Sequence, residues 1–329
     1  MSVFSRRTAL AVLAGAAAAA PLCAAAQAPA AWPSRPMRII VAYPAGGVSD
    51  VVARALAERL AVSLAVPVTI ENKAGASGVI GVDAVAKAAP DGTTFGFAAI
   101  SPVALNPHLG RSPFDPARDL VPVASVMYSP VMLLATPAMA ARDFRTVLAA
   151  AQARPGAVRW ATSGQASLGH VMLEQLKASA RLDITHIPYK GGGQQMNDAL
   201  GGHFEILSTN ASPAVAQHIR GGRLVPLAIG APARMESLPT VPTLAELGYP
   251  AANLSSLFGV FAPGRTPPAI VERMNAEIGR ALQDPALRQQ LLATGNVPTG
   301  GSASDFARQI AAESAANARI VRTAHITGD

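Results

Sequence analysis

Two short segments carry residue types that could hold an anion without a charged side chain. The first is Tyr43-Pro44-Ala45-Gly46-Gly47, which follows the run Met37-Arg38-Ile39-Ile40-Val41 and leads into Val48-Ser49-Asp50. The second is Ser163-Gly164-Gln165-Ala166-Ser167, which follows Val158-Arg159-Trp160-Ala161-Thr162. Glycine lets a ligand approach the backbone, and a helix starting directly afterwards aims free N–H groups and a partial positive charge at the loop. Such a terminus contributes about 0.3–1 kcal/mol per anion contact when exposed and up to about 2 when partly buried. Each segment alone reads equally as a tight strand-to-helix turn, with Ser49 and Ser167 as N-caps and Asp50 in a first turn. The pairing is the informative feature: a small carboxylate held from two sides needs no arginine.

Other constellations fare less well. Ser167 and His170 suggest a nucleophile and a base, but Gly164-Gln165-Ala166-Ser167 has one residue too many for a Gly-x-Ser-x-Gly elbow, and no orienting third residue stands out. His170, one turn into its helix, suits bracing the loop by a hydrogen bond. Lys190-Gly191-Gly192-Gly193 reverses the order of a phosphate loop, and no Gly-x-Gly-x-x-Gly occurs. The histidines at 108, 170, 186, 203, 218 and 325 lack metal-ligand spacing. No metal and no cofactor are expected.

The elements that must position the two segments alternate. Val51, Val52, Ala55, Leu56 and Leu60 keep helical spacing, Val66–Ile70 reads as a strand, and Thr93–Ile100 as another after an intervening helix. Residues 101–120 read as irregular. Val121–Ala135 is one apolar run, broken at Pro130, long enough to cross between two lobes. Further strands are expected at Ile184–Tyr189, Phe204–Thr209 and Leu224–Ile229, with Ser212-Pro213 opening a helix and Leu257–Ala262 as the return crossing. The pattern predicts two α/β lobes with largely parallel sheets and a ligand cleft between them. Residues 27–126 with 250–329 are expected to form one lobe and 127–249 the other.

The chain has 329 residues, half of them apolar, and a formal charge of +7. Residues 1–26 read as a signal peptide: Arg6-Arg7, an apolar run from Ala9 to Leu22, and Ala24-Ala25-Ala26 as a cleavage site. Sec and twin-arginine export both fit, and either places the protein in the periplasm. The single cysteine, Cys23, falls in this segment, so the mature chain would have no disulfide. Basic residues are scattered without runs or interleaved aromatics, which argues against nucleic acid as a partner.

Several stretches in fixed order resemble the extracytoplasmic solute receptors of the tripartite tricarboxylate transporter (Bug) family, nearly end to end. They are Trp32-Pro33-Ser34-Arg35-Pro36, Pro44 to Asp50, Glu71-Asn72-Lys73-Ala74-Gly75-Ala76-Ser77-Gly78, Ala89-Pro90-Asp91-Gly92 and Asn106-Pro107. Ser163 to His170, His186 to Gly191, Val241-Pro242-Thr243 and Ala262-Pro263-Gly264 follow. The resemblance implies a type II periplasmic-binding-protein fold closing on a small organic acid, a monomer, and delivery to membrane permease subunits. It assigns ligand contacts to Tyr43, Ala45, Gly46, Gly47, Ser163, Gly164, Gln165 and Ser167, with Ser101 and Thr209 as further wall positions. Thr209 stands where the family commonly has an aspartate, which disfavours an ammonium and favours a dicarboxylate or an aromatic carboxylate over an amino acid. A secreted serine hydrolase built on Ser167, and a ligand sensor for a signalling partner, are the alternatives.

Overall fold

The computed structural model describes residues 32–324 apart from Arg111, Ala141 and Gly191; the expected signal peptide, Cys23 and His325 lie outside them. The chain begins β1 (Met37–Val41), α1 (Val48–Leu64), β2 (Val68–Asn72), α2 (Val79–Ala86) and β3 (Thr94–Ala99). Two single-turn helices follow, α3 (Ser101–Ala104) and α4 (Pro116–Asp119), so the segment expected to be irregular is partly ordered. Pro102 and Pro116 sit at their first turns, where a missing N–H leaves no bond unmade.

The strand β4 (Leu120–Ala135) leads to α5 (Phe144–Ala153), β5 (Arg159–Thr162), α6 (Leu168–Ala180) and β6 (Thr185–Pro188). Then come α7 (Gly192–Leu200), β7 (Ile206–Asn210), α8 (Pro213–Arg220) and β8 (Val225–Gly230). The return strand β9 (Ser255–Pro263) precedes α9 (Pro268–Ala281), α10 (Pro285–Ala293), the two-residue β10 (Val297–Pro298) and α11 (Ala303–Ala324).

The strands run β2-β1-β3-β9-β4-β7-β5-β6, with β8 and β10 also paired to β4. Parallel ladders are confined to the outer strands, β2-β1-β3 and β7-β5-β6, apart from a single parallel bridge between Ile229 of β8 and Thr243; every ladder involving β4 or β9 is antiparallel. The expectation of largely parallel sheets therefore holds only away from the crossing. The strand β4 is not broken at Pro130. Its ladder to β9 ends at Pro130↔Ser255, and its ladders to β7 and β8 begin at Val131. Proline is tolerated there because the strand changes partners at that residue, and its carbonyl still accepts from Ala211 N.

Each lobe is a sheet with apolar clusters on both faces. In the first, α1 lays Val52, Leu56, Leu60 and Leu64 against Met37, Ile39 and Val41 of β1, joined by α9 and α10. Burying a leucine of this kind contributes about 1.5–3 kcal/mol. The other face packs Val82 and Val85 of α2 and Phe306 of α11 onto Ile40 and Ala98. In the second lobe, α5 and α6 cover one face and α7 and α8 the other. These layers fix the strand ends, and the loops after β1 and β5 face the same cavity between the lobes.

Candidate functional site

The first loop is closed by Asp50 rather than by Ser49. Gly47 is the N-cap of α1, with extended backbone and no capping side chain, so the expected role of Ser49 is not observed. The Asp50 carboxylate accepts from Gly46 N at 2.9 Å, Asn72 Nδ2 at 2.9 Å and Arg54 Nε at 3.0 Å, and Asn72 Nδ2 also reaches the Tyr43 carbonyl. Burial works to raise this carboxyl, but Arg54, the Gly46 N–H and Asn72 together outweigh it and hold it below the ordinary value. Gly46 has φ +79, a conformation that suits glycine. Its N–H is spent on Asp50, so Gly46 gives the cavity wall its shape but no free donor.

Tyr43 lies edge-on to Phe258, with ring centroids 6.1 Å apart. Burial pushes its phenol far up, and the Ala99 backbone N–H offsets only part of this, so the hydroxyl stays neutral.

The second loop is held from beneath by two stacked histidines. The rings of His170 and His186 lie 4.0 Å apart and within 7° of parallel. His170 Nδ1 accepts from Ala166 N at 3.3 Å, at a residue with φ +58, and His186 Nε2 meets Thr162 Oγ1 at 2.8 Å. Thr162 in turn donates to the Gly164 carbonyl at 2.9 Å. Desolvation lowers both imidazoles, His186 to about 3, and each also feels the Lys177 charge; Glu174 works the other way on His170. Both rings are therefore neutral at ordinary pH, as acceptance from Ala166 N requires. The bracing role expected for His170 is what the structure shows, while His186 and Thr162 were not singled out as braces. Ser167 caps α6 by accepting from His170 N.

Between these loops lies a cavity of about 340 Å³. Tyr43, Ala45, Gly46, Gly47, Ser101, Ser163, Ser167 and Thr209 line it; Gly164 and Gln165 do not. The Gln165 carbonyl instead accepts from Ser77 Oγ of the opposite lobe at 2.7 Å, so this part of the loop meets protein. Sequence reasoning missed Ser77, Asn197 and Ser208 as wall residues. The Ser208 hydroxyl is buried with no partner among the described residues, and Gly169 leaves it room, since a Cβ there would collide with it. Nothing in local sequence pattern marks Ser208, because its place in the wall depends on how Gly169 of α6 packs against β7.

The starts of α1, α6, α7 and α8 all border the cavity, through Gly47, Ser167, Gly192 and Ser212. Among the described residues lining it, none is charged, and eight are serines. Four helix N-termini and a set of hydroxyls can stabilise negative charge by fixed dipoles and hydrogen bonds alone.

Two α/β lobes crossed by β4 and β9, with an uncharged cleft between them, define a solute-binding receptor of the periplasmic-binding-protein class. Residues 52–326 match the family described as tripartite tricarboxylate transporter family receptor, and the chain belongs to that family. Protein BugT of Bordetella pertussis is 41% identical over 81% of this chain and 82% of its own length. The structure of periplasmic binding protein BugD superposes with TM-score 0.84 at 25% identity, covering 90% of this chain and 99% of that one. The R. palustris protein Rpa4515, solved with adipate, gives TM-score 0.84 at 32% identity, again covering 90% and 99%. The resemblance read from the ordered motifs is thereby established at the level of family and fold.

Proposed function

We propose that this chain is a periplasmic receptor that captures a small organic carboxylate between its lobes and hands it, as a monomer, to membrane permease subunits. One observation carries the reading: four helix N-termini border a cavity whose described lining has no charged side chain. An acid end fits such a site, and an ammonium does not, because no carboxylate lines it and Thr209 offers only a hydroxyl. A dicarboxylate or an aromatic carboxylate is therefore favoured over an amino acid, and the adipate bound by Rpa4515 accords with this. Ala45 and Gly47 from the first loop and Ser163 and Ser167 from the second are the residues that would grip the carboxylate, with Tyr43, Ser101 and Thr209 around it. The lobe boundaries are best drawn at Pro130/Val131 and before Ser255, where the ladders change, rather than at 126/127 and 249/250. Residues 1–26 are the export signal in this reading, and among the described residues no helix is long and apolar enough to span a membrane.

Catalysis at Ser167 finds no support, because His170 Nδ1 takes the Ala166 N–H and Ser167 Oγ takes the His170 backbone N–H. The test is a thermal-shift screen of protein beginning at Gln27 against mono-, di- and tricarboxylates, aromatic acids and amino acids. Ligand at a hundred times its dissociation constant adds about 2.7 kcal/mol and a clear rise in Tm. A rise with an acid class supports the reading. A rise with amino acids alone would overturn the exclusion of ammonium.

A further inference from the structure

The loop between β2 and α2 holds two consecutive non-glycine residues in the left-handed region, Ala76 at φ +45 and Ser77 at φ +53. Side chains rarely adopt that conformation, and strain of this kind is retained where surrounding structure or function demands it. Here the turn projects Ser77 across the cleft, where its Oγ donates to the Gln165 carbonyl at 2.7 Å. Opposite it, Gly164 has no side chain, and a Cβ there would run into the Ser77 hydroxyl. The absent Cβ is what allows the two loops to approach this closely. Ser77 also lines the cavity.

We propose that Ser77 is a positioning residue that fastens the closed form: its hydroxyl ties the first lobe to the Gln165 carbonyl of the second and so sets how long a solute stays bound. The proposal rests on the receptor reading above. Opening the lobes must break this hydrogen bond before solute leaves, whereas solute entering an open cleft does not meet it. Loss of the latch therefore raises the dissociation rate and leaves the association rate alone. The Gln165 contact is to a backbone oxygen, so Ser77 is the side of the pair that substitution can remove.

Ser77→Gly and Ser77→Ala test it, glycine being the residue for which φ +53 carries no strain. Stopped-flow kinetics with the tightest acid from the screen should show the dissociation rate rising about three- to tenfold, the span of one neutral hydrogen bond. The association rate should be unchanged, and the Tm of unliganded Ser77→Gly should equal or exceed that of the parent. A direct role for Ser77 in gripping one ligand would make the change differ between acids, whereas a latch shifts all of them by a similar factor. Equal dissociation rates in parent and variants, or a factor that depends strongly on the acid, would overturn the proposal. If the parent binds no acid at all, the receptor reading fails and the latch that rests on it falls with it, an outcome distinct from equal dissociation rates in proteins that do bind.

Discussion

Asp50 gathers the first loop through three donors: the Gly46 N–H, the Asn72 amide and the Arg54 guanidinium. Asp50→Asn keeps the shape but sets one amide donor against another and removes the partner of Arg54. It should lower unfolding free energy by about 1.5–3 kcal/mol in urea and weaken solute binding; unchanged values would mean the loop closes without this carboxylate. Because the folded carboxyl titrates below its ordinary 3.8, its contribution is complete above that value and is lost as pH falls through the folded one. The difference between parent and variant should thus vanish in strong acid. Gly47 has φ −75, and a Cβ there would meet only the Pro44 carbonyl, at 3.5 Å. Gly47→Val should therefore fold with Tm nearly unchanged yet lose affinity about tenfold or more, since its side chain occupies loop space the ligand needs. Normal binding by this variant would remove the first loop from the site. The stacked pair makes a pH prediction of its own. His186 titrates at about 3 and His170 below the ordinary 6.5, so between about 3 and 6.5 the unfolded chain binds more protons than the folded one. Stability then rises with pH across that window and levels above it. His186→Gln should flatten the rise, and an unaltered slope would contradict the assignment.

The elements differ in how openly the sequence announces them. Strand-to-helix units such as β1–α1 and β5–α6 combine β-branched runs, glycine turns and helical spacing, so their order was legible. The capping of α1 was not: Ser49 and Asp50 both look like helix-start residues, and only the register of Asn72 on β2 decides that Asp50 binds the Gly46 N–H. The strand β4 hid its continuity for a related reason, since Pro130 reads as a break unless the change of ladder partners is known. Helix α11 is an element whose placement no local pattern could give. Its Asn317 donates to the buried Ala104 carbonyl, and Val321 packs with Leu105 of the first lobe and Val171 of α6 in the second. Asn317→Ala should cost about 1–3 kcal/mol in unfolding free energy, because it leaves that carbonyl without its partner. A neutral result would mean α11 is held by its apolar contacts alone.

At the scale of the molecule, the cleft forms where two lobes place loops of similar design face to face. The pairing of Tyr43–Gly47 with Ser163–Ser167 was readable because each half carries its own strand, glycine and helix start. Ser77 and Ser208 were not, because they come from a loop and a strand that reach the cleft only through the sheet order. Gly164 and Gln165 are the converse: they stand in the right loop, but sheet geometry turns them toward the other lobe's Ser77. In the proposed receptor, fixed dipoles and hydroxyls, with no charged side chain among the described lining residues, hold the acid. Binding calorimetry with adipate and with its uncharged diamide at one pH tests it most directly, in protein first unfolded and refolded to remove carried-over solute. The diacid should bind one-to-one and the diamide at least a hundredfold more weakly, the loss of about 2.7 kcal/mol expected when helix termini lose their anion. Equal affinity for the two, or binding of the diamide alone, would contradict it.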